Sequence, residues 1–157
     1  MTLCVHKRLL VKRHRVVLEQ LQSAMPRWFG RAVEQTYAGL KPDLVLTDDR
    51  EKKAWVLDVK VPTDSTQVFA RHHRNNCSKY EEARACFQSA GYKAEVSTFI
   101  VGAAGTMPAA CNHLLRRIGL SPTRIRKTVR LAVRHALLVT VETLCDHLRG
   151  LNYDAAF

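Results

Sequence analysis

Three residues in the stretch KPDLVLTDDREKKAWVLDVKVP, positions 41 to 62, have the types and spacing to do chemistry together: Asp43, Asp58 and Lys60. In the second apolar run Trp55, Leu57, Val59 and Val61 share one face of an extended chain, and Ala54, Val56, Asp58 and Lys60 share the other. Side chains two apart on a strand point the same way, so Asp58 and Lys60 project together. If the two runs pair as a hairpin across DDREKK, Asp43 at the start of the first comes within reach of Asp58 near the end of the second. Two carboxylates held this close repel, and a divalent cation with hard oxygen ligands, Mg²⁺ or Mn²⁺, relieves the repulsion. Such a cation lowers the pKa of bound water and stabilises charge on a phosphate oxygen, while Lys60 orients the water or takes its proton. Those parts suffice to hydrolyse a phosphodiester. The other reading is plainer: two strand-edge acids, with Lys60 as a salt-bridge partner.

The elements that must position these residues are legible as periodicities. Residues 3 to about 25 read as a helix, with Leu9, Leu10, Val16, Val17 and Leu21 recurring at near-helical intervals and Lys7, Arg8, Lys12, Arg13 and Arg15 opposite. Pro26 and Gly30 close it. RAVEQTYA (31–38) is expected as a strand broken by Gly39, followed by the two strands DLVLT and AWVLDVKV. After Pro62 a polar stretch, RHHRNN at 71–76, leads into a helix bearing Tyr80, Ala83 and Phe87 and ended by Gly91. KAEVSTFIVGA (93–103) is rich in β-branched and aromatic residues and reads as a strand. A loop, AGTMP, precedes a short helix over 109–118. Ser121 and Pro122 then open a long helix to about 149. Its apolar line runs Ile125, Val129, Val133, Leu137, Val141, Leu144, Leu148, beside an arginine stripe of Arg126, Arg130 and Arg134. With no repeat, low-complexity tract or linker, the chain is expected to be one α/β domain over 1–157, a mixed central sheet flanked by helices.

Composition restricts the partners. Across 157 residues, 25 Lys and Arg against 14 Asp and Glu give a formal charge of +11, which favours a polyanion, with DNA the default. Arg71, Arg74 and the Arg126, Arg130, Arg134 stripe are the candidate phosphate contacts. No apolar run approaches the roughly 18 residues of a membrane span, and Lys7, Arg8 and Lys12 interrupt any signal-peptide core, so no membrane partner is expected. Five cysteines without a CxxC pair argue against a disulfide framework and against a cysteine-rich zinc site, and fit an intracellular, reducing compartment. His72, His73 and Cys77 have a spacing that a helix could turn toward a metal.

KPD at 41–43 and DVK at 58–60 resemble the signature of the PD-(D/E)xK nucleases, and the order α-β-β-β-α-β over residues 3 to 103 resembles their restriction-endonuclease-like core, here with extra C-terminal helices over about 108–150. RHRVVLEQL (13–21), LKPDLVL, LDVKVPTD, SKYEEA and FIVGAAGT are similar, in that order, to the restriction-like endonuclease domain of site-specific non-LTR retrotransposon proteins. The resemblance, which extends to about residue 145, implies a domain that nicks chromosomal DNA to leave 5′-phosphate and 3′-hydroxyl ends, the latter priming reverse transcription. It implies Asp43, Asp58 and the carbonyl of Val59 as holders of Mg²⁺ or Mn²⁺, and a nuclear location. Lys60 matches the wider nuclease pattern. Many retrotransposon members instead draw the lysine from the following helix, where Lys79 stands beside Tyr80, a residue then expected to face DNA. Arg13 and His14 match an Arg-His pair placed near DNA, a structural histidine being the other reading. Asp64 matches an acidic position without a ligand role, and Glu19 and Glu34 are candidate accessory acids. The Trp-Asp pair that usually follows FIVGA is missing from GTMPAA. The sequence contains neither a reverse transcriptase nor a zinc knuckle, which leaves a domain excised from a parent polyprotein or a free-standing relative. The rival readings are a resolvase or repair nuclease of the same superfamily, working as a homodimer, and a DNA-binding module whose acids no longer hold metal.

Overall fold

The computed structural model describes residues 2–154, with side chains described for 8–149; Cys4 and Lys7 fall outside the latter range. Nine elements follow in chain order: α1 (Thr2–Ala24), β1 (Gly30–Val33), β2 (Leu44–Asp48), β3 (Lys53–Lys60), α2 (Thr66–Lys79), α3 (Glu81–Ser89), β4 (Lys93–Ile100), α4 (Ala109–Arg117) and α5 (Pro122–Asp154). The four strands form one mixed sheet in the order β1-β2-β3-β4, antiparallel through β3 and parallel between β3 and β4. The expected hairpin forms across DDREKK. Asp48 Oδ1 accepts from the N–H groups of Arg50 (3.0 Å) and Glu51 (3.1 Å), and Lys52 takes φ +50° to complete the reversal.

Helices cover both faces of the sheet, which is why β3 and the later part of β4 are buried almost throughout. Trp55, Leu57 and Val59 meet Val17, Leu21 and Met25 of the α1 region, Leu114 and Leu115 of α4, and Ile125, Ala132 and Ala136 of α5. On the opposite face Val45, Val56 and Val96 meet Tyr80 and Ala83 where α2 passes into α3. The result is a helix–sheet–helix sandwich, with Asp58 and Lys60 projecting from the face that α2 and α3 cover.

Four sequence expectations need correction. The strand expected over 31–38 stops at Val33, because Glu34 adopts φ +49° and residues 37–40 make a tight reversal with Ala38 and Gly39 also at positive φ. The polar run 71–76 is the middle of α2 rather than an approach to it. Ser65 caps that helix, its Oγ accepting from Val68 N–H, and the run is polar because α2 shows Arg71 and Arg74 to solvent while Phe69 and Asn76 point inward. The single helix expected after this run is two, meeting at Tyr80 (φ −100°, ψ 17°). In α5 the buried line is Ile125, Thr128, Ala132, Ala136 and Val139, with Val129 and Val133 half-buried beside it; the expected apolar line therefore holds over its first three members, whereas Leu137, Val141, Leu144 and Leu148 lie exposed.

The segment after β4 is tied down by Asp64. Its carboxylate accepts from the N–H groups of Ala104 (2.6 Å) and Thr106 (2.7 Å) and lies where a side chain at Gly102 would project. Burial works against the charge of Asp64, but these donors outweigh it and hold the carboxyl below its usual range. Asp64 therefore acts as a loop clamp.

Candidate active site

The site lies at the end of the sheet where β2 starts and β3 finishes. In the register of the hairpin Leu44 faces Leu57, so Asp58, Val59 and Lys60 run beyond the start of β2. Asp43 fills the vacated place. Its Oδ2 accepts from the Val59 N–H at 2.6 Å, where a strand partner would otherwise stand. A residue's N–H and C=O project to the same side of a strand, so the Val59 carbonyl faces this opening too. The second contact to Asp43 Oδ2 comes from His14 Nε2 of α1, at 3.0 Å.

Asp58 is buried, with 2% of its surface exposed, and three groups satisfy it. Lys60 Nζ lies 2.5 Å from Oδ2, Asn76 Nδ2 donates to the same oxygen at 2.9 Å, and the Tyr80 hydroxyl lies 3.0 Å from Oδ1. Asn76 also donates to Thr98 Oγ1 (3.1 Å), the residue facing Asp58 across the parallel ladder, so α2, β3 and β4 are joined through one amide. Lys79 reaches the same carboxylate indirectly, donating to the Tyr80 hydroxyl at 2.8 Å from a position 4.5 Å above the ring. That hydroxyl has one proton, which Asp58 and the Lys41 carbonyl (3.2 Å) share. Burial first, and then the Asp58 charge, push Tyr80 well above the ordinary phenol value, so it remains a neutral donor.

The groups around Asp43 are electrostatically linked. Burial alone would raise its carboxyl, but the hydrogen bonds from His14 and Val59 and the charge of Lys60 hold it below the usual range. The Asp43 hydrogen bond in turn raises His14 above its ordinary value, against burial and Lys60. A raised histidine stabilises the fold below its unfolded pKa, and the benefit disappears as pH climbs through the folded pKa; a depressed aspartate does so above its own and fails as pH falls. The pair therefore contributes most between roughly pH 4 and 6.5. We expect the melting-temperature gap between wild type and His14→Ala, measured in EDTA, to narrow from pH 6 to pH 9. A gap that stays constant over that range would contradict the pairing.

The donor set fits a hard divalent cation. Asp43 Oδ1 makes no hydrogen bond among the described residues, the Val59 carbonyl faces the same opening, and Asp58 accepts three bonds against about four lone-pair sites. Two carboxylates and one carbonyl suit Mg²⁺ or Mn²⁺ completed by water; no group of three or more His, Cys, Asp or Glu side chains that could hold a metal occurs among the described residues. The alternative at His72, His73 and Cys77 reduces to a pair, with Cys77 Sγ 3.7 Å from His73 Nε2.

The remaining candidates separate. Arg71 and Arg74 on α2, and Arg126, Arg130 and Arg134 on α5, are exposed and available to phosphates. Tyr80, expected to face DNA, is fully buried and serves Asp58. Arg13, expected beside DNA, donates inward to the Val61 carbonyl (3.0 Å) and Thr140 Oγ1 (3.3 Å), fastening the end of β3 to α1 and α5. Glu19 pairs with Arg15 and Glu34 with Lys41; His14, Arg15 and the two glutamates line a groove of about 510 Å³ between α1 and the end of β1. Asn76 and Thr98 were not singled out by sequence reasoning. The signal for Asn76 was its place four residues before Tyr80, on one face of a helix. No helix among the described residues is long and apolar enough to cross a membrane. Compared with known proteins, the chain matches no family model and no curated protein.

Proposed function

We propose that this chain is a divalent-metal-dependent DNA endonuclease with a restriction-endonuclease-like core of the PD-(D/E)xK type. It would nick target DNA to leave 5′-phosphate and 3′-hydroxyl ends, as in target-primed retrotransposition. The observation that supports the reading is the gathering of Asp43, Asp58 and Lys60 at one end of two adjacent strands, with the Val59 N–H bonded to Asp43. The strand order, three antiparallel strands followed by a parallel one after a helical crossover, suits such a core. The exposed arginines of α2 and α5 and the charge of +11 suit a DNA substrate.

Asp43, Asp58 and the Val59 carbonyl would hold Mg²⁺ or Mn²⁺, which when bound supplies Lewis acidity and acidifies water. Asn76 and Tyr80 fix the Asp58 carboxylate so that it need not reorganise as charge develops. Lys60 is held at Asp58 Oδ2 yet has a third of its side chain exposed, so its ammonium can meet both the attacking water and a phosphate oxygen. Lys79 stands one group further out, behind the Tyr80 hydroxyl, and its role is to position Tyr80. His14 holds Asp43 through the same carboxylate oxygen that accepts from Val59. A second reading, a DNA-binding module without catalysis, draws on the three protein groups that already engage the Asp58 carboxylate.

Nicking of supercoiled plasmid separates these readings. Activity is expected with Mg²⁺ or Mn²⁺ and absent in EDTA. Lys60→Ala should lose roughly 10²-fold or more, while Lys79→Ala keeps most activity. The opposite ranking would transfer the role to Lys79. Nicking that persists in EDTA would reject the metal centre, and none under any condition would favour the binding module.

A further inference from the structure

We propose that the C-terminal half of α5 pairs antiparallel with the same helix of a second copy of this chain, making a two-fold dimer. This inference does not depend on the nuclease reading. The inner line of α5 is buried as far as Val139, and Thr140 and Glu142 fasten the next turn to Arg13 and Lys12 of α1. On the outer side Leu137, Val141, Leu144 and Leu148 are 37, 55, 57 and 58% exposed, with Leu138 (56%) beside them. Isolated exposed leucines are ordinary, but these follow one another at steps of four, three and four. That is the apolar seam of a helix that packs along a second helix.

Three features select a second copy as the occupant. The seam complements itself. A two-fold axis between residues 142 and 143 sets Leu137 opposite Leu148 and Val141 opposite Leu144, so each chain supplies what the other needs. Charge points the same way. The chain carries +11, yet His135 to Leu148 contains no Lys or Arg and two acids, Glu142 and Asp146. Two such segments can approach without the repulsion that faces rich in Lys and Arg would meet, and the segment has no Lys or Arg to attract an acidic partner. Direction follows from the preceding turns, where Arg130 and Arg134 continue the seam line. Parallel helices would set these arginines against their own copies, whereas antiparallel helices carry the two arginine stripes to opposite ends. The first part of the seam needs little ordering, because α5 is buried against the domain as far as Val139 and is tied to α1 at Thr140 and Glu142.

Sedimentation or light scattering of the full chain, nuclease-treated and in high salt, tests the pairing. The mass is expected to double between about 1 and 100 µM, and Val141→Glu with Leu144→Glu to remain at one chain's mass with an unchanged circular-dichroism spectrum. A single-chain mass throughout, a dimer undiminished in the double variant, or growth beyond two chains would overturn the proposal. Direction is read by cysteine trapping in a chain whose exposed Cys86 and Cys145 are replaced by Ser. Leu137→Cys with Leu148→Cys should join the copies on mild oxidation, and Leu137→Cys alone should not. Joining by Leu137→Cys alone, or failure of the pair to join, would refute the antiparallel arrangement.

Discussion

Asp58→Asn is expected to lower metal-dependent plasmid nicking by roughly 10³-fold or more while DNA binding is retained. The substitution keeps the shape of the side chain and an acceptor for the Tyr80 hydroxyl but sets its amide nitrogen against the Asn76 donor, so the folded spectrum is recorded beside the activity. What it removes is the negative charge that holds Lys60 at 2.5 Å and that a cation shared with Asp43 would need. Loss of cleavage together with loss of the folded spectrum would say only that Asp58 supports the structure. Full nicking by a folded Asp58→Asn protein would remove Asp58 from the chemistry.

Asn76→Ala is expected to give the largest loss of stability among the site variants. It deletes two hydrogen bonds from one buried amide and leaves the Asp58 carboxylate with one donor fewer in the interior. An unsatisfied buried group of this kind costs about 2 kcal/mol, and for a chain of this size the melting temperature should fall by roughly 4–8 °C. Asn76→Asp separates lost bonding from charge. A second carboxylate beside Asp58 should destabilise more at neutral pH than at acid pH, where one of the two carries a proton. Thermal melts of both variants at two pH values check this. A melting temperature unchanged in Asn76→Ala would show that water replaces the amide and that the network does not hold α2 to the sheet.

The reasons why parts of the site could be read from the sequence, and others not, are physical. The common face of Asp58 and Lys60 follows from the two-residue period of a strand, and the hairpin beside it from a polar turn between apolar runs, so both were legible. Asn76 was hidden because the surrounding run is polar for a different reason: α2 shows its arginines to water, and composition does not say which polar residue turns inward. Tyr80 was misread because an aromatic residue beside a lysine suggests an exposed contact, whereas the junction of α2 and α3 carries its ring into the core. In α5 the leucines and valines outweigh alanine in any hydrophobic pattern, yet Ala132 and Ala136 face the domain and the larger residues form an outer seam. Arg13 shows the same limit for charge. A basic residue in a basic protein reads as a phosphate contact, and only the fold reveals that it fastens β3 to two helices.

The claim on which the functional account stands is that one cation is shared by Asp43 and Asp58, and titration with Mn²⁺, followed by calorimetry or water-proton relaxation, tests it without reference to cleavage. Wild type should bind Mn²⁺ at a site that Mg²⁺ competes for, and Asp43→Asn and Asp58→Asn should each abolish it. Binding that survives unchanged in either variant would mean that the two carboxylates do not share an ion.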